Sequence, residues 1–237
     1  MGGFFGAVSA NDCILDVFYG TDYHSHLGTR RGGMTSYSAE LGFQRNIHSI
    51  ENSPFRTKFE KDVEKMRGNI CIGCISDTDP QPIMVRSKLG LYAVCSIGII
   101  QNAKALSEEL LESGCANFET MSSGNINSGG LIGALIAQKS SFVEGIRYAQ
   151  EKIEGTMSLV IMTENSIICA RDKAGKLPIL IGKRADGYCF SFESFAYQKL
   201  GYETCHELKA GEITRLTKDG YDVLYEGTDS MKICTFL

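Results

Sequence analysis

Two cysteines stand at a spacing that redox and metal sites use. Cys71 and Cys74 form a CxxC pair with only Ile and Gly between them. A structural zinc site needs a second pair at a matching distance, and a redox site places a helix start after its pair. The sequence has neither feature. We therefore favour two core-facing thiols at a strand end over a metal or redox pair.

The remaining cysteines and histidines form no recognisable nucleophile–base pattern. The chain has nine Cys and four His, and several Cys lie in apolar runs such as Ile168-Cys169-Ala170. An odd number of cysteines in apolar segments is typical of reduced thiols in a cytosolic protein rather than of a disulfide framework. His24 and His26 alternate as residues on a surface or at a helix end do, and Cys13 follows the first predicted strand.

Composition excludes several classes of protein. A chain of 237 residues with 43% hydrophobic and 22% charged residues can bury a sizeable core, as one large domain or two small ones. The net charge of −4 offers no basic surface to nucleic acid or anionic lipid. No run reaches the roughly 18 apolar residues of a membrane span, and the start lacks the basic segment of a secretory signal. We expect a cytoplasmic protein with no nucleic-acid or membrane partner.

Apolar periodicity predicts many strands, with helices grouped between them. Residues 4–9 form the first predicted strand, and residues 12–26 form a helix with Asp12 as its cap. The further predicted helices are 103–113, 130–138 and 141–151. The further predicted strands are 34–43, 44–50, 69–75, 89–96, 158–163, 166–171, 179–183, 188–192 and 212–217. This order predicts a layered α+β domain with two antiparallel sheets between helices.

Four ordered segments of the second half carry a family resemblance. Residues 155–160 resemble the strand G-A-Y-S-L-V of class II glutamine amidotransferases, and residues 170–178 resemble their turn A-R-D-P-x-G-I-R-P-L. Residues 190–196 resemble A-S-E-S-x-A, and residues 208–213 resemble V-x-P-G-E-I. Four motifs in order are a far stronger signal than any one alone. Within the class, the chain resembles the amidophosphoribosyltransferase pattern from Gly2 to its last residue.

The resemblance implies a four-layer αββα sandwich of the N-terminal-nucleophile hydrolase type, within the α+β class. In that family an N-terminal Cys thiol attacks the glutamine amide carbon, with its own α-amine as the base. An Asn side chain and a Gly N–H bind the oxyanion. An Arg binds the substrate carboxylate through two hydrogen bonds, and an Asp holds the substrate α-amino group. The resemblance implies no cofactor for this domain.

Matched to the family position by position, the chain lacks the nucleophile and the carboxylate-binding Arg. The nucleophile position holds Gly2, which has no side chain. Residues 71–79 match G-I-G-H-V-R-Y-S-T, so Cys74 stands at the His and Ser76 stands at the Arg. Arg31 matches the Arg of the H-R-G-Q motif and is retained.

The positions that bind the oxyanion and the substrate amine are also changed. Residues 96–102 match H-N-G-x-[IL]-x-N, which keeps the Gly as Gly98 and puts Ile97 in place of the oxyanion Asn. Residues 126–130 match S-D-[ST]-E-V, so Asn127 stands at the Asp, with a similar shape and no charge.

These joint losses favour a naturally inactive glutaminase-like domain of an amidophosphoribosyltransferase-like protein of purine biosynthesis, acting as a scaffold or ligand sensor. The alternative is an active glutamine amidotransferase domain that supplies ammonia to a phosphoribosyltransferase and that an engineered change at Gly2 has disabled. That alternative explains Gly2 but not Ser76 or Ile97. A third possibility is a binding domain for an apolar or neutral ligand, because Ile97 and Cys74 make the pocket less polar.

The last residues predict a connection to a second domain. Residues 1–230 are expected to form the glutaminase-like domain, and residues 231–237 resemble the start of the crossing to a phosphoribosyltransferase domain. In some family members the Cys of that stretch helps hold an iron–sulfur cluster. Cys234 is therefore a candidate ligand only together with the second domain, because one thiolate cannot assemble a four-thiolate site. The expected partners are that C-terminal domain and further copies in a homo-oligomer.

Overall fold

The computed structural model describes residues 2–114, 126–230 and 232. The helices are α1 (Ile14–Tyr23), α2 (Phe55–Val63), α3 (Ala103–Glu112), α4 (Ser128–Ala137), α5 (Phe142–Lys152) and α6 (Ser194–Gln198). The strands are β1 (Gly2–Ser9), β2 (Arg31–Ser38), β3 (Gly42–Ser49), β4 (Ile70–Ser76), β5 (Ile83–Ser87), β6 (Gly90–Ile100), β7 (Gly155–Met162), β8 (Ile167–Ala170), β9 (Leu180–Arg184), β10 (Gly187–Ser191), β11 (Glu203–Glu207), β12 (Ile213–Leu216) and β13 (Tyr221–Tyr225). None of the helices in these described ranges is long and apolar enough to cross a membrane.

The strands form two sheets that pack face to face between two layers of helices. The first sheet has the order β11-β9-β10-β1-β4-β2-β3, and the second has the order β13-β12-β8-β7-β6-β5. One apolar cluster, which includes Phe4 and Val160, lies between the sheets. A second cluster includes Phe18 of α1 and lies on the outer face of the first sheet, and a third includes Leu131 of α4 and lies outside the second. This arrangement confirms the four-layer αββα sandwich.

Strand β1 lies at the centre of the first sheet and is buried along its whole length. It pairs with β4 on one side and with β10 on the other, both antiparallel. Phe4 belongs to the cluster between the sheets, whereas Phe5 belongs to the cluster beneath the helices. Because a strand covered on both faces needs apolar side chains at successive positions, Phe4 and Phe5 can both be buried. The start of β1, Gly2, is thereby fixed at one end of the sheet.

Several element boundaries differ from the predicted ones. Helix α1 begins at Ile14, and the Asp12 carboxylate accepts a hydrogen bond from the Ile14 amide at 3.1 Å. The turn between β2 and β3 lies at residues 39–41, not after residue 43. The elements α2, α6, β5, β11 and β13 were not predicted. Helix α2 buries only Phe55, Phe59 and Val63 among charged residues, which is a weak apolar pattern.

His24 lies at a helix end, directly after α1, but it is fully buried, which corrects only the predicted surface position. It follows α1, and its Nδ1 lies 2.7 Å from the Gly20 carbonyl oxygen. Because that oxygen can only accept, Nδ1 carries the proton, and Nε2 accepts from the Ser191 hydroxyl at 3.1 Å. Burial lowers the pKa of His24 to about 4. The neutral ring therefore joins the end of α1 to β10.

This burial predicts a loss of stability in mild acid. The folded pKa lies below the ordinary value of 6.5, so the unfolded chain binds more protons between pH 6.5 and pH 4. The free energy of unfolding should fall by up to about 3 kcal/mol as the pH drops through this window. Urea titrations at pH 7, 6, 5 and 4.5 measure it. His24→Gln should lower the free energy of unfolding at pH 7 and weaken its dependence on pH. His26→Gln, which replaces an exposed ring, should leave that pH dependence unchanged. An unchanged slope in His24→Gln would contradict the assignment.

Candidate functional site

A cavity of about 510 Å³ opens where β1 begins and β4 and β10 end, against β6 and β7 of the second sheet. Four of the sequence-predicted site positions line it, namely Gly2, Ser76, Ile97 and Gly98. The structure therefore brings together residues that lie far apart in the chain. Their convergence follows from strand pairing, since Gly2 lies directly opposite Ser76 in the β1–β4 register.

Gly2 has no room for a side chain. A Cβ atom placed on its backbone would lie 2.3 Å from the carbonyl oxygen of Ile75 and 3.0 Å from Cδ1 of Ile97. The first contact is with backbone, which a rotamer change cannot relieve. The surroundings of this position are therefore shaped around glycine.

Ile97 and Gly98 form the opposite wall of the cavity. The Ile97 side chain is 8% exposed and joins the cluster between the sheets. Gly98 has a φ of +151°, and a Cβ there would lie 2.1 Å from the carbonyl oxygen of Thr156. Backbone geometry alone therefore requires glycine at position 98. The wall offers an aliphatic side chain where the family pattern has an amide.

The Ser76 hydroxyl is used to close a turn. Its Oγ accepts hydrogen bonds from the amides of Thr78 and Asp79, each at 3.2 Å. The side chain is short, 2% exposed and committed to this backbone. It cannot provide the two parallel donors with which an Arg holds a carboxylate.

Two buried polar side chains that the sequence analysis did not single out fix one wall of the cavity. The Gln81 amide bridges Ser96, accepting from its N–H at 2.6 Å and donating to its carbonyl at 2.9 Å. The Asp79 carboxylate accepts from the Ser128 amide at the start of α4, at 3.0 Å. Both side chains lie in the short segment between β4 and β5. No local pattern marks them, because their partners are distant in sequence.

The loop after β8 forms the far side of the cavity. The Asp172 carboxylate accepts from the amides of Ala174 at 3.0 Å, Lys176 at 2.9 Å and Leu177 at 3.4 Å. The buried Arg171 guanidinium donates to the Gly175 carbonyl at 2.9 Å. The Arg-Asp motif thus acts as scaffold, and it holds the side chains of Lys176 and Leu177 at the cavity.

The other sequence-predicted positions lie outside the cavity lining. Arg31 is exposed at the start of β2. Cys74 is buried between the sheets, opposite Phe4 in the strand register. Asn127 caps α4, accepting from the Gly129 amide at 2.8 Å, and donates to the Pro80 carbonyl at 3.0 Å. Cys234 falls outside the described residues.

The CxxC pair cannot act as a unit. Cys71 and Cys74 are three positions apart on one strand, so their side chains point to opposite faces. Cys71 lies in the cluster under the helices, and Cys74 lies between the sheets. Burial raises the pKa of the Cys71 thiol well above its usual value. Across the described ranges no group of His, Cys, Asp and Glu has the arrangement of a metal site.

Comparisons with protein-family profiles and with known proteins identify the same family. A family profile described as a glutamine amidotransferase domain matches residues 66–198. The amidophosphoribosyltransferase of Archaeoglobus fulgidus is 26% identical over 212 residues, covering 86% of this chain and 45% of that protein. The Synechocystis amidophosphoribosyltransferase is 25% identical over 252 residues, covering 99% of this chain and 49% of that protein. The chain thus spans about half the length of these relatives.

A solved structure shows the same fold. The glutamine phosphoribosylpyrophosphate amidotransferase from Bacillus subtilis superposes with a TM-score of 0.84 at 22% identity, covering 98% of this chain and 51% of that one. The family profile covers more than half of the present chain, and the two-sheet sandwich matches this neighbour. The chain therefore belongs to the glutamine amidotransferase domain family, as a class II domain with the N-terminal-nucleophile hydrolase fold.

Proposed function

We propose that this chain is a glutaminase-like domain of an amidophosphoribosyltransferase-like protein of purine biosynthesis that does not hydrolyse glutamine, and that it serves as a scaffold or ligand-sensing domain. The observation that carries the proposal is the close approach at Gly2. The family's nucleophile position has no side chain, and a Cβ there would meet the Ile75 carbonyl oxygen at 2.3 Å.

The chemistry fails at more than one step. Without a thiol at Gly2, no acyl-enzyme forms with the glutamine amide carbon. With Ile97 at the family's amide position, an oxyanion loses a side-chain donor, a change that typically costs roughly 100- to 1000-fold in rate. Ser76 replaces the Arg that grips the carboxylate, and its hydroxyl is already committed to the turn. These losses are independent, so restoring one does not restore turnover.

The amine-binding position has a different task here. Asn127 stands where the family pattern has Asp, and both ends of its amide bond to backbone. Its Oδ1 caps α4, and its Nδ2 holds the Pro80 carbonyl. The Asn127 amide carries no negative charge, and both its oxygen and its nitrogen already form hydrogen bonds. It therefore cannot pair with the ammonium group of a substrate as a carboxylate would. We take Asn127 as a helix cap beside the cavity rather than as a substrate-binding group.

The alternative, an active domain disabled by an engineered change at Gly2, is less well supported. A single substitution does not account for the Ile75 carbonyl and the Ile97 methyl group that occupy the space of a side chain at position 2. It also leaves Ser76 unexplained. In a glutaminase that had lost only its thiol, we expect space for a Cβ to remain beside position 2.

We also propose a domain organisation and partners for the protein that contains this domain. We place the domain at residues 1–230 and the start of a connection to a C-terminal phosphoribosyltransferase domain at residues 231–237. That second domain and further copies of the protein are the proposed partners, in the cytoplasm. A transferase in such a protein would use free ammonia or another amine, because this domain would release no ammonia from glutamine.

The first prediction concerns turnover. The purified chain incubated with glutamine should release no more glutamate than a heat-denatured sample, because nucleophile, oxyanion amide and carboxylate-binding Arg are all missing at Gly2, Ile97 and Ser76. A coupled glutamate dehydrogenase assay measures the release. Glutamate formation above that background, proportional to the amount of folded chain, would refute the proposal.

The second prediction concerns Gly2→Cys. This variant should remain inactive after mass spectrometry confirms removal of Met1, and overpacking against the Ile75 carbonyl should lower the free energy of unfolding by about 1–3 kcal/mol. Gly220→Cys is the matched control, because a Cβ at Gly220 meets no atom within 4 Å. Its stability should stay within about 0.5 kcal/mol of the parent chain. Glutaminase activity in Gly2→Cys, with stability equal to the control, would favour the disabled-enzyme alternative.

A further inference from the structure

The cavity beside Gly2 is walled mainly by aliphatic and aromatic side chains. Its apolar lining includes Leu27, Ile97, Ile132, Met157, Leu177 and Phe192. Its volume of about 510 Å³ lies within the range of about 300–1,000 Å³ that is usual for small-molecule pockets. A glutamine molecule is polar at both ends and along its amide. This wall instead matches a ligand with an apolar body.

Lys176 is the cation in the described lining of this cavity. Its backbone amide is fixed by the Asp172 carboxylate at 2.9 Å. Its side chain is only partly exposed, and within the described ranges no ion pair involves its ammonium. A partly desolvated cation beside an apolar wall favours an anionic ligand group, because that charge would offset the lost hydration.

Asp79 is the acidic residue in the described lining of the cavity. Asp79 precedes β5 and Lys176 follows β8, and the strand order of the second sheet puts β7 and β6 between β8 and β5. The Asp79 carboxylate is 4% exposed and accepts from the Ser128 amide. The Asp172 carboxylate on the Lys176 side is 2% exposed and accepts from the amides of Ala174, Lys176 and Leu177. Both carboxylates are thus bound to backbone amides, and Met157 and Ile97 lie on the intervening strands.

We propose that the cavity binds a medium-chain monocarboxylate, with its carboxylate at Lys176 and its alkyl chain along Leu177, Met157 and Ile97. The inference rests on the proposed function, because it assigns a ligand to a pocket that no longer turns over glutamine. Binding requires no covalent step. Recognition combines one charge-assisted contact with burial of methylene groups, so affinity should depend on both the charge and the chain length.

Isothermal titration calorimetry with hexanoate, octanoate and 1-octanol tests this assignment on the full chain. Each buried methylene should tighten binding about fourfold, the equivalent of about 0.8 kcal/mol, so octanoate, with two more methylenes, should bind about fifteenfold more tightly than hexanoate. Octanoate should also bind about tenfold more tightly than 1-octanol, which has the same number of carbon atoms and no charge. Equal affinities for octanoate and 1-octanol, or no octanoate binding, would overturn the proposal.

Lysine variants test the place of the carboxylate. Lys176→Met should remove the preference for octanoate over 1-octanol and leave 1-octanol binding unchanged. Lys183→Met is the matched control, since Lys183 is an exposed residue of β9 outside the cavity lining, and it should keep the preference. Unchanged octanoate affinity in Lys176→Met would overturn the assignment of the anion site.

Methionine methyl NMR reports where the alkyl chain lies. On addition of octanoate, the Met157 methyl resonance should shift, whereas those of Met34 and Met66, buried in the cluster beneath the helices, should not. Shifts at Met34 or Met66 without one at Met157 would contradict the proposed site. A failure of octanoate to bind leaves the absence of glutamine turnover intact, whereas glutamate release would refute the proposed function whatever octanoate does.

Discussion

The close packing at the start of β1 is the constraint on which the site depends. Because β1 is the central strand of its sheet and is covered on both faces, its first residue cannot move outward to make space. The Ile75 carbonyl of the neighbouring strand and the Ile97 side chain of the opposite sheet both approach Gly2. The two sheets therefore pack tightly at Gly2, the position where the family pattern has its nucleophile, and Gly2 presents no side chain to the cavity.

The fold does not depend on that chemistry, because its stability comes from elsewhere. Three apolar clusters hold the four layers together, and the buried Arg171 and Asp172 organise the loop between β8 and β9 through backbone hydrogen bonds. Gly98 is required by its positive φ and by the nearness of Thr156. Motifs with these structural tasks identify the family without themselves specifying its reaction.

The sequence predicted the class of architecture and most of the regular elements. Strong apolar runs such as β1, β4 and β7 were found close to their observed positions, because a strand buried on both faces leaves a continuous signal. Elements with weak patterns were missed, including the half-exposed β5 and the short, mostly exposed β11. The burial of His24 was not predicted, because its partner Ser191 lies on β10, far from it in sequence.

The sequence by itself determined the side-chain inventory: no thiol at Gly2, an aliphatic group at Ile97 and a hydroxyl at Ser76. Tertiary structure decided what surrounds those atoms. Only the strand register shows that a Cβ at Gly2 would meet the Ile75 carbonyl, and only the packing of the sheets brings Lys176 to the same cavity as Gly2. The physical reason is that residue types fix which chemical groups are available. The free volume around those groups, their burial and their charge pairing depend on contacts between segments that are distant in the chain.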